Sequence, residues 1–241
     1  MQEVIKQKMS QMKLYGMYQA YQTLLESTQQ HLLTNDEVVS QLIQSEWEER
    51  ETRKSDRNLR NARFRYQASI PELDFNKNRN LDKTLIMRLA EVSFVKRKED
   101  VLLTGPSGVG KSFIASALGH QACNQGYKVL YFNTQRLFSR LKMAKGDGTY
   151  QKEISKIERQ DLLILDDFGL SPMDSYQRNA LMEIIEDRHG RKSTMISSQL
   201  PVSSWYEVIG ESTIADAILD RLVHKAHRVE ITGESMRKIT L

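Results

Sequence analysis

The run Gly105-Pro106-Ser107-Gly108-Val109-Gly110-Lys111-Ser112 decides how the rest of the chain reads. It has the spacing G-x-x-x-x-G-K-[ST], a loop whose backbone cradles phosphate. Gly105, Gly108 and Gly110 admit backbone angles that a side chain would forbid, so successive N–H groups can turn inward onto one anion. Lys111 is placed to reach the β- and γ-phosphates of a nucleoside triphosphate, and the Ser112 hydroxyl to bind Mg²⁺. Ahead of the loop, Val101-Leu102-Leu103-Thr104 reads as a buried strand. Behind it, Phe113, Ile114, Ala117, Leu118, Gln121 and Ala122 recur at helical spacing. Such a helix turns its positive N-terminal end toward the same anion. Pro106, Ser107, Val109 and Phe113 therefore join the glycines, Lys111 and Ser112 as the expected nucleotide-binding set.

The loop needs an acidic partner, and Leu162 to Gly169 (LLILDDFG) supplies one. Four aliphatic residues suit a strand buried on both faces. They carry Asp166 to its carboxyl end, where it can hold Mg²⁺ directly or through water. Asp167 follows and can orient or deprotonate an attacking water. The strand Tyr127 to Asn133 lies between the two motifs in sequence. That arrangement is typical of nucleotide hydrolases that insert a strand between the loop strand and the acid strand. Ser198 and Gln199 end a further strand near the expected γ-phosphate. One of them could position the water; the same polarity would serve a helix cap before Pro201. Arg221 stands among Ile218, Leu219 and Leu222. It reads either as an arginine offered across a subunit boundary to a transferring phosphoryl group or as a surface salt bridge.

Composition narrows the class. The chain has 241 residues, 39% of them hydrophobic and 27% charged, with a mean hydropathy of −0.53. This is a globular profile rich in charge. No apolar run approaches the roughly 20 residues of a membrane span. The first residues, MQEVIKQKMSQMK, lack the apolar core of a signal peptide, so a cytoplasmic location is expected. Cys123 is the only cysteine, which excludes internal disulfides and cysteine zinc clusters and reads as a small core residue.

Residues 1 to about 66 read as helical. Leu14, Met17, Tyr21, Leu24 and Leu25 form one apolar stripe, and Val38, Val39, Leu42, Ile43 and Trp47 a second, with helix-start chemistry at Thr34 to Glu37 between them. Between Arg50 and Tyr66 seven basic residues meet two acidic ones, a local +5 against +4 for the whole chain. Arg50, Arg53, Arg57 and Arg60 share one helical face with Lys54 beside them. They read as contacts to nucleic-acid phosphates or as a solvated face.

Ser69-Ile70-Pro71-Glu72 breaks the helix. The expected organisation is a helical DNA-binding and oligomerisation domain over 1–68, a linker over 69–80 and a catalytic domain over 81–241. Leu81 to Lys98 reads as one helix, Arg136 to Lys145 as another, Tyr176 to His189 as a third. Thr194 to Ser198 and His227 to Thr232 read as strands. Strands alternating with helices predict an α/β fold, a parallel sheet covered on both sides.

Together GPSGVGKS, LLILDDFG, ISSQLP and ILDRLVHKAHRVEITGESMR resemble the IstB family, AAA+ ATPases that assist the transposase of bacterial insertion sequences. The family is related to the DnaC and DnaI helicase loaders. The segment ending in NARF and the IPELDF linker are similar too. The resemblance implies a P-loop AAA+ domain that binds ATP and Mg²⁺; most AAA+ proteins also carry a C-terminal helical lid, and the few residues after Arg237 lead to the expectation of none here. It implies a helper that forms homo-oligomers on duplex DNA, largely without regard to sequence, hydrolyses ATP at subunit interfaces and recruits or activates a cognate transposase. By position, Lys111 and Ser112 match Walker A, Asp166 and Asp167 Walker B, Ser198 or Gln199 sensor one, Arg221 the arginine finger and Arg237 a sensor-two arginine. The helix carrying Arg140, Lys142 and Lys145 falls where related proteins face DNA. Most AAA+ proteins have Glu at the place of Asp167, one methylene longer, which implies slow or partner-dependent hydrolysis. A DnaC-like helicase loader is the alternative reading; a small-molecule kinase would need an acceptor pocket and an arginine-rich lid that the sequence does not offer.

Overall fold

Leu162-Leu163-Ile164-Leu165 lies in the second strand from one edge of a five-stranded parallel sheet, and the reason is visible in which way each residue points. The computed structural model describes residues 1–27, 33–75 and 79–236. The strands are β1 (Val101–Thr104), β2 (Val129–Asn133), β3 (Leu162–Phe168), β4 (Ser193–Ser198) and β5 (His227–Glu230). Their spatial order is β2-β3-β4-β1-β5, every neighbouring pair parallel. Side chains alternate between faces. Leu162 and Ile164 therefore join one apolar layer and Leu163 and Leu165 the other. Both layers are closed by helices, so the whole run is buried and no polar alternation is needed.

The helices of this part are α4 (Lys83–Ala90), α5 (Ser93–Arg97), α6 (Lys111–Asn124), α7 (Thr134–Gly146), α8 (Tyr150–Glu158), α9 (Ser175–Arg188), α10 (Trp205–Ile209) and α11 (Ser212–Val223). Ile86, Phe94, Ile114 and Leu118 cover the first face. Leu137, Phe138, Ile157, Leu181, Ile184, Trp205 and Ile218 cover the second. Cys123 is buried in the first layer, where burial pushes its thiol up to about 12. The strand that separates β1 from β3 in space is β4; β2 is the sheet edge.

Two sequence expectations change. The stretch 81–98 is two helices, because Val92 takes a left-handed φ of 60° between them and the Asp82 carboxylate caps the first by accepting from Leu85 N at 3.0 Å. The helix α8 was not anticipated; its buried Ile154 and Ile157 stand three residues apart, too few apolar positions to announce it.

Chain contacts divide the protein into two compact units, Met1–Arg57 and Asn58–Leu241. The division falls inside α3 (Asn35–Ala62). Residues 58–68, read from sequence with the N-terminal domain, pack in the second unit: Asn58 Nδ2 donates to Gly126 O (3.1 Å) and Tyr127 O (3.0 Å), and Ala62 and Ala68 are buried in the first apolar layer.

The first unit holds α1 (Gln2–Gln11), α2 (Tyr15–Glu26) and most of α3. Thr34 and Glu37 form the expected cap: Glu37 N donates to Thr34 Oγ1 at 3.3 Å and Thr34 N to Glu37 Oε2 at 2.8 Å. Among its described residues Gly16, Leu24 and Glu46 are buried. Val39, Ile43 and Trp47 of the second apolar stripe are exposed. Among the described residues, no helix is long and apolar enough to cross a membrane.

Candidate functional site

The phosphate loop leaves β1 at Gly105 and enters α6 at Lys111. Gly105, Gly108 and Gly110 all take positive φ, of 143°, 86° and 95°. The space is as restrictive as the angle: a Cβ on Gly105 would lie 2.0 Å from Ile231 O, and one on Gly108 2.0 Å from Ser235 Oγ. Met236 N donates to Gly108 O at 3.0 Å, so the GESM stretch lies directly against the loop. Arg237 lies outside the described residues. Lys111 is buried, and its Nζ donates to Gly105 O and Pro106 O, each at 2.7 Å. The loop thus curls around its own lysine. Gly110 caps α6 without a side chain, so no side-chain acceptor competes for the first N–H groups of the helix. Pro106 and Ser107 are exposed, Val109 is buried, and the Phe113 ring lies 6.1 Å from that of Tyr66.

Arg79 was missed by the sequence reading. Its Nη1 donates to Val109 O at 2.8 Å, while Nε and Nη2 donate to Asp74 O. A lone arginine in a polar linker gives no sequence signal of such a role.

At the end of β3 the register with β4 slips between Leu165 and Phe168, and Asp166 and Asp167 fall in the irregularity. Asp167 takes a left-handed φ of 56°, a conformation that costs a non-glycine residue on the order of 1 kcal/mol. The slip turns two adjacent carboxylates to different tasks. Asp166 is fully buried. It accepts from Ser112 Oγ at 3.0 Å and from the hydroxyls of Ser197 and Tyr131. Burial and the neighbouring Asp166 push the Tyr131 phenol well above its usual range, so it stays a proton donor to that carboxylate. Asp167 is half-buried and accepts from Asn133 Nδ2 at 3.0 Å and Arg65 Nη1 at 3.2 Å.

The Ser112–Asp166 contact joins the start of α6 to the end of β3. A hydroxyl and a carboxylate oxygen at hydrogen-bond distance, beside a glycine loop that holds Lys111, are the hard oxygen donors Mg²⁺ takes next to a triphosphate. The residues present fit both groups.

Ser198 turns its hydroxyl to Phe168 O (2.8 Å) and receives Leu200 N (3.1 Å), so it ties the turn after β4. The hydroxyl that reaches Asp166 belongs to Ser197, one residue earlier; alternation along the strand is the signal that separates them. Gln199 is exposed beside them. Arg221, on α11, donates to Ala217 O at 2.8 Å and pairs with Glu186 of α9 at 2.5 Å.

Of the cations expected to meet DNA, several already hold acids. Arg50 pairs with Glu46 at 2.7 Å and Arg53 with Glu49 at 2.6 Å, one helical turn earlier, and Lys54 lies 3.4 Å from Glu51. Arg53 also covers the Tyr15 ring at 4.4 Å. Arg57 and Arg60 are exposed and make no salt bridge with a described residue. On α7, Arg140 holds Glu153 at 2.8 Å, Lys145 lies 5.5 Å from the Tyr176 ring centre, and Lys142 is exposed.

A model of the family described as IstB-like ATP binding protein matches residues 7–240. An insertion sequence ATP-binding protein of Sinorhizobium fredii is 45% identical over 231 residues, covering 96% of this chain and 94% of that one. The insertion sequence IS21 ATP-binding protein of Pseudomonas aeruginosa is 31% identical over 229 residues, 95% of this chain and 86% of that one. Among solved structures, DnaI superposes with a TM-score of 0.60 at 24% identity, over 73% of this chain and 94% of that chain, a likeness of fold.

Proposed function

The chain belongs to the IstB-like ATP binding protein family and is an AAA+ ATPase of insertion-sequence type, and from that premise we propose that it is a DNA-dependent helper of transposition. In this reading it gathers as a homo-oligomer on duplex DNA, hydrolyses ATP between subunits, and recruits or activates the cognate transposase. The observation that carries the reading is the link from Ser112 to the buried Asp166, with Asp167 immediately beyond. It joins the phosphate loop and the acid strand into one site.

Lys111 would leave the carbonyls of Gly105 and Pro106 for the β- and γ-phosphates. Ser112 and Asp166 would hold Mg²⁺, which when bound neutralises charge on the same phosphate oxygens. Ser197 and Tyr131 fix Asp166 by donating to it. Asp167 would take a proton from the attacking water or orient it, and Gln199, just after β4, is the remaining candidate to position that water. Arg221 would exchange Glu186 for the γ-phosphate of a neighbouring subunit. An ion pair that is part-exposed on both sides is worth about 1 kcal/mol or less, so such an exchange costs little. Arg57, Arg60 and Lys142 remain to meet backbone phosphates, which carry no base sequence.

The likeness to DnaI leaves a helicase-loader role open at the level of fold. Relatives at 45% and 31% identity over nearly the whole chain are insertion sequence proteins, and they favour a transposase as client.

The test is steady-state ATP hydrolysis with and without duplex DNA. We expect a slow basal rate that duplex DNA raises by about tenfold, the order given by one well-placed catalytic contact. A fast rate indifferent to DNA would contradict the reading. Asp167→Asn should bind ATP and fail to turn it over; surviving turnover would remove Asp167 from the water-handling role.

A further inference from the structure

Arg65 has no part in that scheme, yet it touches both catalytic acids. Its Nη1 stands 3.2 Å from Asp167 Oδ2 and 3.6 Å from Asp166 Oδ2. The contact is built. Phe64, one residue earlier, packs over α6 where Gly119 leaves room: a Cβ there would lie 2.4 Å from the Phe64 ring. The Phe64 ring lies 4.4 Å from that of His120 and 6.2 Å from that of Tyr131. Tyr66, one residue later, packs on Phe113 and carries the Arg65 guanidinium 5.5 Å from its ring centre. Arg65 is therefore pinned on both sides to the helix that begins at the phosphate loop.

The other side of Arg65 opens into a cleft of about 610 Å³. Arg63, Arg65, Arg136 and Arg140 line it, and Asp167 is the one acid among the lining residues. Glu153 answers Arg140. Arg63 and Arg136 make no salt bridge with a described residue. The cleft thus has more fixed cations than anions, in a guanidinium form suited to two-point contact with phosphate. It is also wired to Asp167 twice. Asn133 Nδ2 donates to that carboxylate while its Oδ1 accepts from Arg136 N at 3.3 Å, capping α7. Arg65 is the second wire.

We propose that this cleft receives a backbone phosphate of bound DNA and that Arg65 exchanges Asp167 for it. The idea rests on the DNA-dependent ATPase reading and gives that dependence a residue. Without DNA, the guanidinium sits on the carboxylate that must accept the water's proton and beside the one that must hold the metal, so Arg65 restrains both. A phosphate in the cleft draws the half-exposed guanidinium away and frees both acids. Arg65 is a positioning residue in this scheme, not a catalytic one. Its 43% side-chain exposure makes the pair breakable, and the burial of Asp166 makes it persist until something competes.

The experiment uses the full-length chain with Arg65→Ala and Arg65→Lys. Basal hydrolysis should rise about fivefold in Arg65→Ala, the factor an exposed ion pair is worth, and the further gain from duplex DNA should shrink correspondingly. A fluorescent ATP analogue, titrated with Mg²⁺ in the absence of DNA, should reach half-saturation at several-fold lower Mg²⁺, because a competing cation has gone. Arg65→Lys should restore part of both restraints. Arg136→Glu should raise the DNA concentration needed for half-maximal stimulation. An unchanged Mg²⁺ titration and basal rate would overturn the proposal, and so would an Arg65→Ala protein that binds ATP but is slower than the parent with DNA. If the parent ignores DNA, the DNA-helper reading fails; a faster Arg65→Ala protein with tighter Mg²⁺ dependence would still establish the restraint.

Discussion

Glu46 and Asp166 are both buried carboxylates, one in each compact unit, and each collects three donors. The donors differ in kind. Glu46 accepts Gly16 N (2.9 Å), Met17 N (3.2 Å) and Arg50 Nε (2.7 Å). Backbone N–H groups cannot turn away, and a guanidinium is always charged. Burial alone would lift the Glu46 carboxyl; the bonds from Arg50, Met17 and Gly16 hold it below its usual range instead. Asp166 accepts three hydroxyls, each of which can rotate and accept as readily as donate. The first arrangement is closed and holds helices together. The second can surrender its carboxylate to a cation without leaving a fixed donor stranded. Burial of an acid does not separate structure from chemistry; the freedom of its donors does.

Gly16 is where the closed arrangement around Glu46 is most easily disrupted. A Cβ there would meet Ser45 O at 2.3 Å and Glu46 Cα at 2.6 Å, both backbone atoms that cannot step aside. Gly16→Ala should force α2 off α3 and cost about 2–3 kcal/mol of local stability. Among the described residues of this unit Leu24 is the one large apolar residue that is buried, so little else there resists. Hydrogen exchange of the full-length chain should show faster exchange in α2 and the first turns of α3, with β1, β3 and β4 unchanged. Glu46→Gln should do the same to a smaller degree, about 1–2 kcal/mol, since the backbone donors keep an acceptor but the charge is gone. Equal exchange in α2 before and after Gly16→Ala would mean the Glu46 cluster holds nothing.

Acidity should then sharpen the contrast between the units. Because the folded value of Glu46 lies below the unfolded one, its contribution is whole above about pH 4.5 and is lost as the pH falls below that. Asp100 runs the other way. It precedes β1, accepts Thr194 N at 2.6 Å, and burial pushes it up to about 7. Between its ordinary 3.8 and that value the folded chain holds a proton the unfolded chain does not. The second unit should therefore lose on the order of 4 kcal/mol as the pH rises from 4 to 8. Denaturation midpoints across that range should slope downward, and Asp100→Asn, which keeps the acceptor for Thr194 N, should flatten the slope. A slope that survives the substitution would assign the effect to another group.

Much of this was legible in the chain. The phosphate loop, the acid strand and the parallel sheet follow from glycine spacing and from apolar runs, which are local signals. What was not legible is what tertiary contacts decide. Ser197 and Ser198 are indistinguishable until the face each one points to is known. The Arg50 and Arg53 stripe looks unpaired until Glu46 and Glu49, one turn earlier and outside the basic run, are counted against it. In the sequence Arg65 is one more basic residue of the run from Arg50 to Tyr66, because nothing in NARFRY says that Phe64 and Tyr66 are anchors that hold it against Asp167, 102 positions along the chain.

Asp166→Asn should have the smallest effect on stability, and that is why it is informative. An amide oxygen can accept from Ser112 and an amide nitrogen can donate to Ser197 or Tyr131 once those hydroxyls turn. The melting temperature should move by no more than about 2 °C. ATP binding, by contrast, should lose its response to added Mg²⁺, because a neutral amide is a poor ligand for so hard a cation. If Asp166→Asn instead unfolds the second unit as Gly16→Ala loosens the first, Asp166 is a closed structural acid like Glu46, and rotatable donors are not what distinguishes the two.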